Sequence, residues 1–321
     1  MKKLFWIAAV GAVAYGVNHP SLLTSYAKNK VSDTITQKAN QVFEKATQEY
    51  LPSTAKGSRS TQGTADPYAD LVGRETDYPR IPEAGQGTPR NACPGHEGLL
   101  AGMEPKIARH IADRSDYTVL CNSQYVNASI GATKTGFWSA WRLDKAGIER
   151  TRGLRREDSF RPDERLPEND RASLEDYRGS GYDRGHIFPN ADGNSAESRS
   201  ESYLLSNIFP QSAAHNQEMW NELEQRTRKL AIRNGEIYVV TGVAFLEKKA
   251  AQIGNTGLYV PSHVYKAVYI PSKDKAAACL SVNAAAAKCR WVNIEELTQI
   301  TGTNPFPALL GTMAAKTVFS W

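Results

Sequence analysis

The sequence predicts an α+β domain, a central sheet with helices on its faces. Two patterns point to it. Runs rich in β-branched and aromatic residues, bounded by turn formers, recur at Tyr117–Cys121, Phe137–Leu143, Glu236–Val243 and Val264–Ile270 and read as strands. Between them, Met219, Trp220, Leu223, Leu230 and Ala231 repeat at helical spacing, so Gln217–Arg233 reads as a helix closed by Asn234-Gly235. A second helix over Ile294–Ile300 stops at Gly302.

In chain order, Lys2 and Lys3 precede an apolar run from Leu4 to Val17, which Asn18-His19-Pro20 ends. That run is shorter than the roughly twenty residues of a membrane span and fits an export signal. Ala12-Val13-Ala14 and Ser25-Tyr26-Ala27 offer small residues at the spacing a signal peptidase reads, while Leu22 and Leu23 extend the apolar stretch toward an uncleaved anchor. Residues 1–27 are therefore expected to be a signal peptide or an N-terminal anchor, residues 4–17 forming the membrane tether in the second case. The folded part is expected outside the cytoplasm: periplasmic, secreted, or held on the outer face of the inner membrane.

Val31, Ile35, Ala39, Val42, Ala46 and Tyr50 make a helical stripe, so residues 28–50 read as an amphipathic helix, a tether or the stalk of a homodimer. Residues 51–92 are rich in Gly, Pro, Ser and Thr and read as a linker with too little apolar surface to fold. The globular domain is expected over 93–321. Its 321-residue parent chain is 40% hydrophobic and 23% charged, ordinary globular composition.

Charge does not name a substrate. The net charge is only +5, and between Arg142 and Arg171 nine Lys/Arg are interleaved with eight Asp/Glu, as on a solvated mixed-charge surface. The four cysteines, Cys93, Cys121, Cys279 and Cys289, contain no C-x-x-C pair, which excludes zinc-ribbon spacing. In an oxidising compartment they can form two disulfides. Of three connectivities, Cys93–Cys121 and Cys279–Cys289 join the pairs nearest in sequence.

The chemistry concentrates in Asp183-Arg184-Gly185-His186 and, 30 residues beyond His186, Asn216, followed by Trp220 and Glu224. A histidine titrating near neutrality can deprotonate water, and an arginine with a cation such as Mg²⁺ can neutralise a phosphate. Those are the parts needed to hydrolyse a phosphodiester. Gly185 is expected to let the backbone turn tightly and to remove bulk beside the site. Asn216, at the expected helix start, also reads as an ordinary N-cap. Glu224 and Arg228 stand one turn apart and also read as an exposed ion pair. A neutral Asn ligand suits Mg²⁺, which prefers oxygen donors and keeps most of its waters. H-E-x-x-H is absent, which weighs against a metalloprotease.

These motifs, with Ser206-Asn207-Ile208-Phe209-Pro210-Gln211, Asn216-Gln217, Leu223-Glu224, Arg228-Lys229-Leu230 and Val239-Val240-Thr241-Gly242, resemble the DNA/RNA non-specific endonucleases. The resemblance runs from Cys93 to Trp321. It implies a ββα-metal (His-Me finger) fold with a central antiparallel sheet flanked by helices. It further implies His186 as general base, Asn216 as the direct ligand of Mg²⁺ with Mn²⁺ as a substitute, and Glu224 acting through metal-bound water. Arg184 and Arg228 fall on phosphate-binding positions, with Asp183, Gly185 and Asn207 as further motif residues. Arg152 is the match for the transition-state arginine, in a stretch that also holds Arg150, Arg155 and Arg156. DNA and RNA are the implied substrates, cut to 5′-phosphate products. A catalytically inactive nucleic-acid binder and a hydrolase of other substrates are the rivals. Phe188 stands where many members carry a small residue and is expected to narrow the groove.

Overall fold

The structure, a computed structural model, describes residues 93–108, 116–247 and 249–321. The segments expected over 1–27, 28–50 and 51–92 lie outside the described residues. So does the stripe of Val31 to Tyr50.

The expected runs become long strands. β1 (Tyr117–Cys121), β2 (Val126–Ile130) and β3 (Thr135–Asp144) are followed, after an intervening ribbon, by β6 (Glu236–Ala244), β7 (His263–Ile270), β8 (Lys275–Val282) and β9 (Arg290–Val292). Together they form a seven-stranded antiparallel sheet in the order β9-β8-β7-β6-β3-β2-β1. β3 and β6 are buried almost end to end, as strands covered on both faces must be. The core they build holds Trp138, Trp141, Tyr125, Phe188, Trp220 and Tyr265, all at most 1% exposed.

Helix α3 (Asn221–Asn234) buries Leu223, Thr227, Leu230 and Ala231 and ends at Gly235, whose φ of 86° suits a residue without Cβ. Helix α4 (Ile294–Thr301) is capped by Asn293, whose side chain accepts from Glu296 N, and ends at Gly302 in the left-handed region. Disulfides join Cys93 to Cys121, at the end of β1, and Cys279, in β8, to Cys289, just ahead of β9.

Outside the large sheet, β4 (Tyr182–His186) and β5 (Ile208–Ser212) form a separate antiparallel ribbon, with His186 opposite Ile208 and Asp183 opposite Gln211. A helical run leaves β5 at once. Ala213–His215 is α-helical, Asn216–Trp220 is a π-turn, and α3 continues from there.

Candidate active site

Asp183, Arg184, Gly185 and His186 sit on β4, and Asn216, Glu224 and Arg228 on the helical run after β5, while Asn207 ends the short turn Leu205–Asn207 that leads into β5. Gly185 is strand, not a tight turn. A Cβ there would strike the side chain of Gln211 on the paired strand, so the glycine is required by close approach. Asn216 is not an N-cap either. The helical run begins three residues earlier, at Ala213, and Asn216 has helical φ and ψ of −61° and −48°. It opens the π-turn, a rare geometry concentrated at functional sites.

Two ties bind this helical run to the ribbon. At its start, Asp183 Oδ2 accepts from Asn216 Nδ2 at 2.9 Å and from Gln217 Nε2 at 3.0 Å. A carboxylate only accepts, so the amide nitrogen must face it and Oδ1 is left without a partner among the described residues. Further along, Arg228 Nη1 donates to Asp192 Oδ1 at 2.9 Å, and Asp192 Oδ2 accepts from Trp141 Nε1 at 3.2 Å. Asp192 belongs to the turn Asn190–Asp192 just after β4, so the two ties bracket His186. Arg228 thus pairs with Asp192 instead of making an exposed pair with Glu224.

Glu224 makes no side-chain hydrogen bond among the described residues. Burial raises its pKa to about 7, against the pull of Lys266 and Arg228. Lys266, on β7, is fully buried with Nζ 5.1 Å from the rings of both Trp141 and Trp220 and 2.6 Å from Thr241 Oγ1. Burial lowers its pKa to about 8, with Glu224 and Asp192 opposing that shift. The sequence reading missed Lys266 and Asp192. A lysine inside the apolar run Val264–Ile270 was the available signal.

His186 ends β4 with Nε2 buried and unpartnered. Burial first, then the charge of Arg156, lowers its pKa to about 3, so the ring is neutral across the physiological range. Its ring lies 5.4 Å from Phe160 and 5.2 Å, edge-on, from Tyr203. The Arg184 guanidinium stacks on Phe160 at 4.3 Å. Among the crowded arginines, Arg156 is the one that reaches this cluster, donating from Nε to Asp158 at 2.9 Å and to the Tyr203 hydroxyl at 3.2 Å. Arg152 is exposed just past the short helix α1 (Lys145–Arg150), and the structure does not bring its side chain to His186.

Asn207 works as a clamp. Its Oδ1 accepts from Ser139 Oγ at 2.8 Å and Phe188 N at 2.9 Å, and its Nδ2 donates to the carbonyls of Phe188 and Ser202 at 3.0 Å each. Phe188 does not line a groove. It is fully buried, stacked on Tyr125 at 4.3 Å and edge-on to Trp141 at 5.2 Å, because the chain after His186 turns into the core. His215 spends both ring nitrogens on Gln211 and Ser281, at 2.7 and 3.1 Å, and is no ligand candidate.

Among the described residues no group of three or more His, Cys, Asp or Glu could chelate a metal. The donor set is a pinned amide oxygen with a carboxylate that makes no side-chain hydrogen bond among the described residues. That set fits a hard cation that keeps most of its waters and not a zinc-type centre.

Two antiparallel strands and the helix that follows, carrying a histidine and a pinned asparagine, define the ββα-metal nuclease fold. Residues 105–310, more than half of the chain, match the DNA/RNA non-specific endonuclease family, and the chain belongs to it. It is 35% identical over 159 residues to the mitochondrial Nuclease 1 of Schizosaccharomyces pombe, covering 46% of this chain and 49% of that protein. Nuclease C1 of Cunninghamella echinulata is 31% identical over 192 residues, covering 56% of this chain and 73% of that protein. A solved structure of the EndoG/EndoGI complex shares the fold with a TM-score of 0.57 at 24% identity, covering 66% of this chain and 92% of that one. The chain spans about half the length of several of the curated relatives it matches.

Proposed function

We propose that this chain is a metal-dependent endonuclease that hydrolyses phosphodiester bonds of both DNA and RNA to 5′-phosphate products. The observation that carries the reading is the Asp183–Asn216 bond, which presents an amide oxygen from the same ββα unit that holds an unpartnered, neutral His186. Family membership and relatives called nucleases support the reaction class.

In this reading His186 accepts a proton from the attacking water through Nε2. Burial keeps the ring neutral, the form that can take a proton, and the negative charge of an incoming phosphodiester raises its basicity. Arg184, flattened on Phe160, keeps its N–H edge for a phosphate oxygen, and Arg156 forks onto another. Arg228, paired with Asp192, keeps helix α3 in place and is the further basic group at the phosphate. Asn216 would hold the cation directly and Glu224 through water. Mg²⁺ fits the oxygen donors, with Mn²⁺ a substitute, and when bound would supply charge neutralisation at the phosphate and the departing oxygen. No base-reading element is evident among the described residues, so binding should rest on phosphates and weaken steeply with salt. Two disulfides fit an exported protein, periplasmic or secreted.

The test is incubation of the purified chain with supercoiled plasmid and with single-stranded RNA, in Mg²⁺ and in EDTA, beside His186→Ala. Loss of both polymers only with Mg²⁺, slowed about 10²- to 10⁴-fold in the variant, is expected. Intact polymers in every lane, with retarded bands on a gel, would replace the nuclease reading with that of a nucleic-acid binder.

A further inference from the structure

We propose that Asp158 and Tyr203 are a positioning pair that holds Arg156 beside His186 and presents its free guanidinium edge to the substrate phosphate. The inference rests on the nuclease reading above. Arg156 and Asp158 lie on an exposed stretch without regular structure, with side chains 65% and 60% exposed. A free arginine there would sample many rotamers.

Tyr203 removes that freedom. Its ring is 1% exposed and packed edge-on against both His186, at 5.2 Å, and Phe160, at 4.8 Å. Its hydroxyl emerges from the core to donate to Asp158 Oδ1 at 2.8 Å and to accept from Arg156 Nε at 3.2 Å. Arg156 Nε also donates to the same Asp158 oxygen at 2.9 Å. The backbone repeats the tie, since Arg161 N donates to Tyr203 O and Leu205 N to Arg161 O. One rigid aromatic therefore fixes an exposed arginine relative to the histidine ring it touches.

Only Nε of Arg156 is used in these bonds. Both Nη groups stay free of protein partners among the described residues, leaving the forked edge that binds a phosphate bidentately. An ion pair this exposed contributes little to stability by itself. Its geometry is what the site gains. Asp158 holds Arg156 through Nε, so a phosphate can meet the Nη edge without displacing the carboxylate.

The experiment measures steady-state cleavage of a defined duplex with Mg²⁺ by the full chain, disulfides intact. It compares the unaltered protein with Asp158→Asn, Tyr203→Phe, Arg156→Ala and the double variant Arg156→Ala/Tyr203→Phe, with thermal melts of each. Asp158→Asn and Tyr203→Phe are expected to lower kcat roughly 10- to 100-fold with KM little changed. The double variant is expected to be no slower than Arg156→Ala alone, because once Arg156 is gone there is nothing left to position. Losses that multiply in the double variant would overturn the inference. So would unchanged kcat in both single variants, or losses that only follow the folded fraction. Should Tyr203→Phe fail to fold, Asp158→Asn, at an exposed position, decides alone. No cleavage by the unaltered protein would overturn the nuclease reading and this inference with it, whereas cleavage with intact kcat in the variants removes the inference only.

Discussion

The Asp183 carboxylate takes the amide nitrogen of Asn216 at 2.9 Å, and this single bond fixes which way the asparagine oxygen points. Gln217 donates to the same oxygen at 3.0 Å, so Asp183 is anchored from two successive residues. Partners of this kind typically change metal affinity 10- to 100-fold when removed. Asp183→Ala should therefore raise the Mg²⁺ concentration for half-maximal cleavage by about that factor, with far-ultraviolet circular dichroism unchanged. A Mg²⁺ titration that superimposes on that of the unaltered protein would remove Asp183 from the site.

Asn207 is a fold residue in a catalytic motif. It is fully buried and satisfies groups on β3, on the chain after His186 and at the end of helix α2 (Ala196–Ser202). Asn207→Ala strands the Phe188 N–H and two carbonyls at once. The expected loss is about 3 kcal/mol or more of unfolding free energy, read from urea denaturation. A loss under about 1 kcal/mol, the range of an ordinary surface change, would mean the clamp is dispensable.

How much of this was legible in the sequence follows from what each element is made of. β1, β3, β6 and β7 were legible because β-branched and aromatic residues fill them. β2 was missed because Asn127 and Ser129 point inward, where they bond Ser206 O and Thr135 O. β8 was missed because Ala276, Ala277 and Ala278 carry no strand preference, being small so that neighbouring layers can approach. β4 and β5 hide behind glycine, charge and Pro210. At the site, the residues in local strings were readable. Asp192, Lys266, Asp158, Phe160 and Tyr203 were not, because they meet the string through contacts that leave no spacing in the chain.

Lys266 ties the large sheet to the site. Its charge opposes the burial that lifts the Glu224 carboxyl to about 7. Lys266→Met keeps the length of the side chain and removes the cation, so the Glu224 pKa should climb further and less carboxylate remain at pH 7. The acid limb of the rate–pH profile should move to higher pH, with activity at pH 7 falling more than at pH 9. An unmoved acid limb would show that Glu224 ionisation does not limit the rate.

Acid should weaken the fold through its histidines. Burial holds His186 at about 3 and His215 and His263 at about 4, against an ordinary value of 6.5. Between those values and 6.5 the unfolded chain binds protons that the folded one refuses, so stability rises with pH across the window and levels off above it. Glu224 acts with the opposite sign. Its folded pKa of about 7 lies above the ordinary 4.5, so its contribution is full below 4.5 and is lost as pH rises through 7. Three histidines outweigh one glutamate, leaving a net dependence of up to two protons, each worth about 1.4 kcal/mol per pH unit at most. Urea midpoints should therefore climb from pH 4.5 to 6.5. A flat or falling series would mean that the three rings are protonated in the folded protein, and the neutral base assigned to His186 would fall with it.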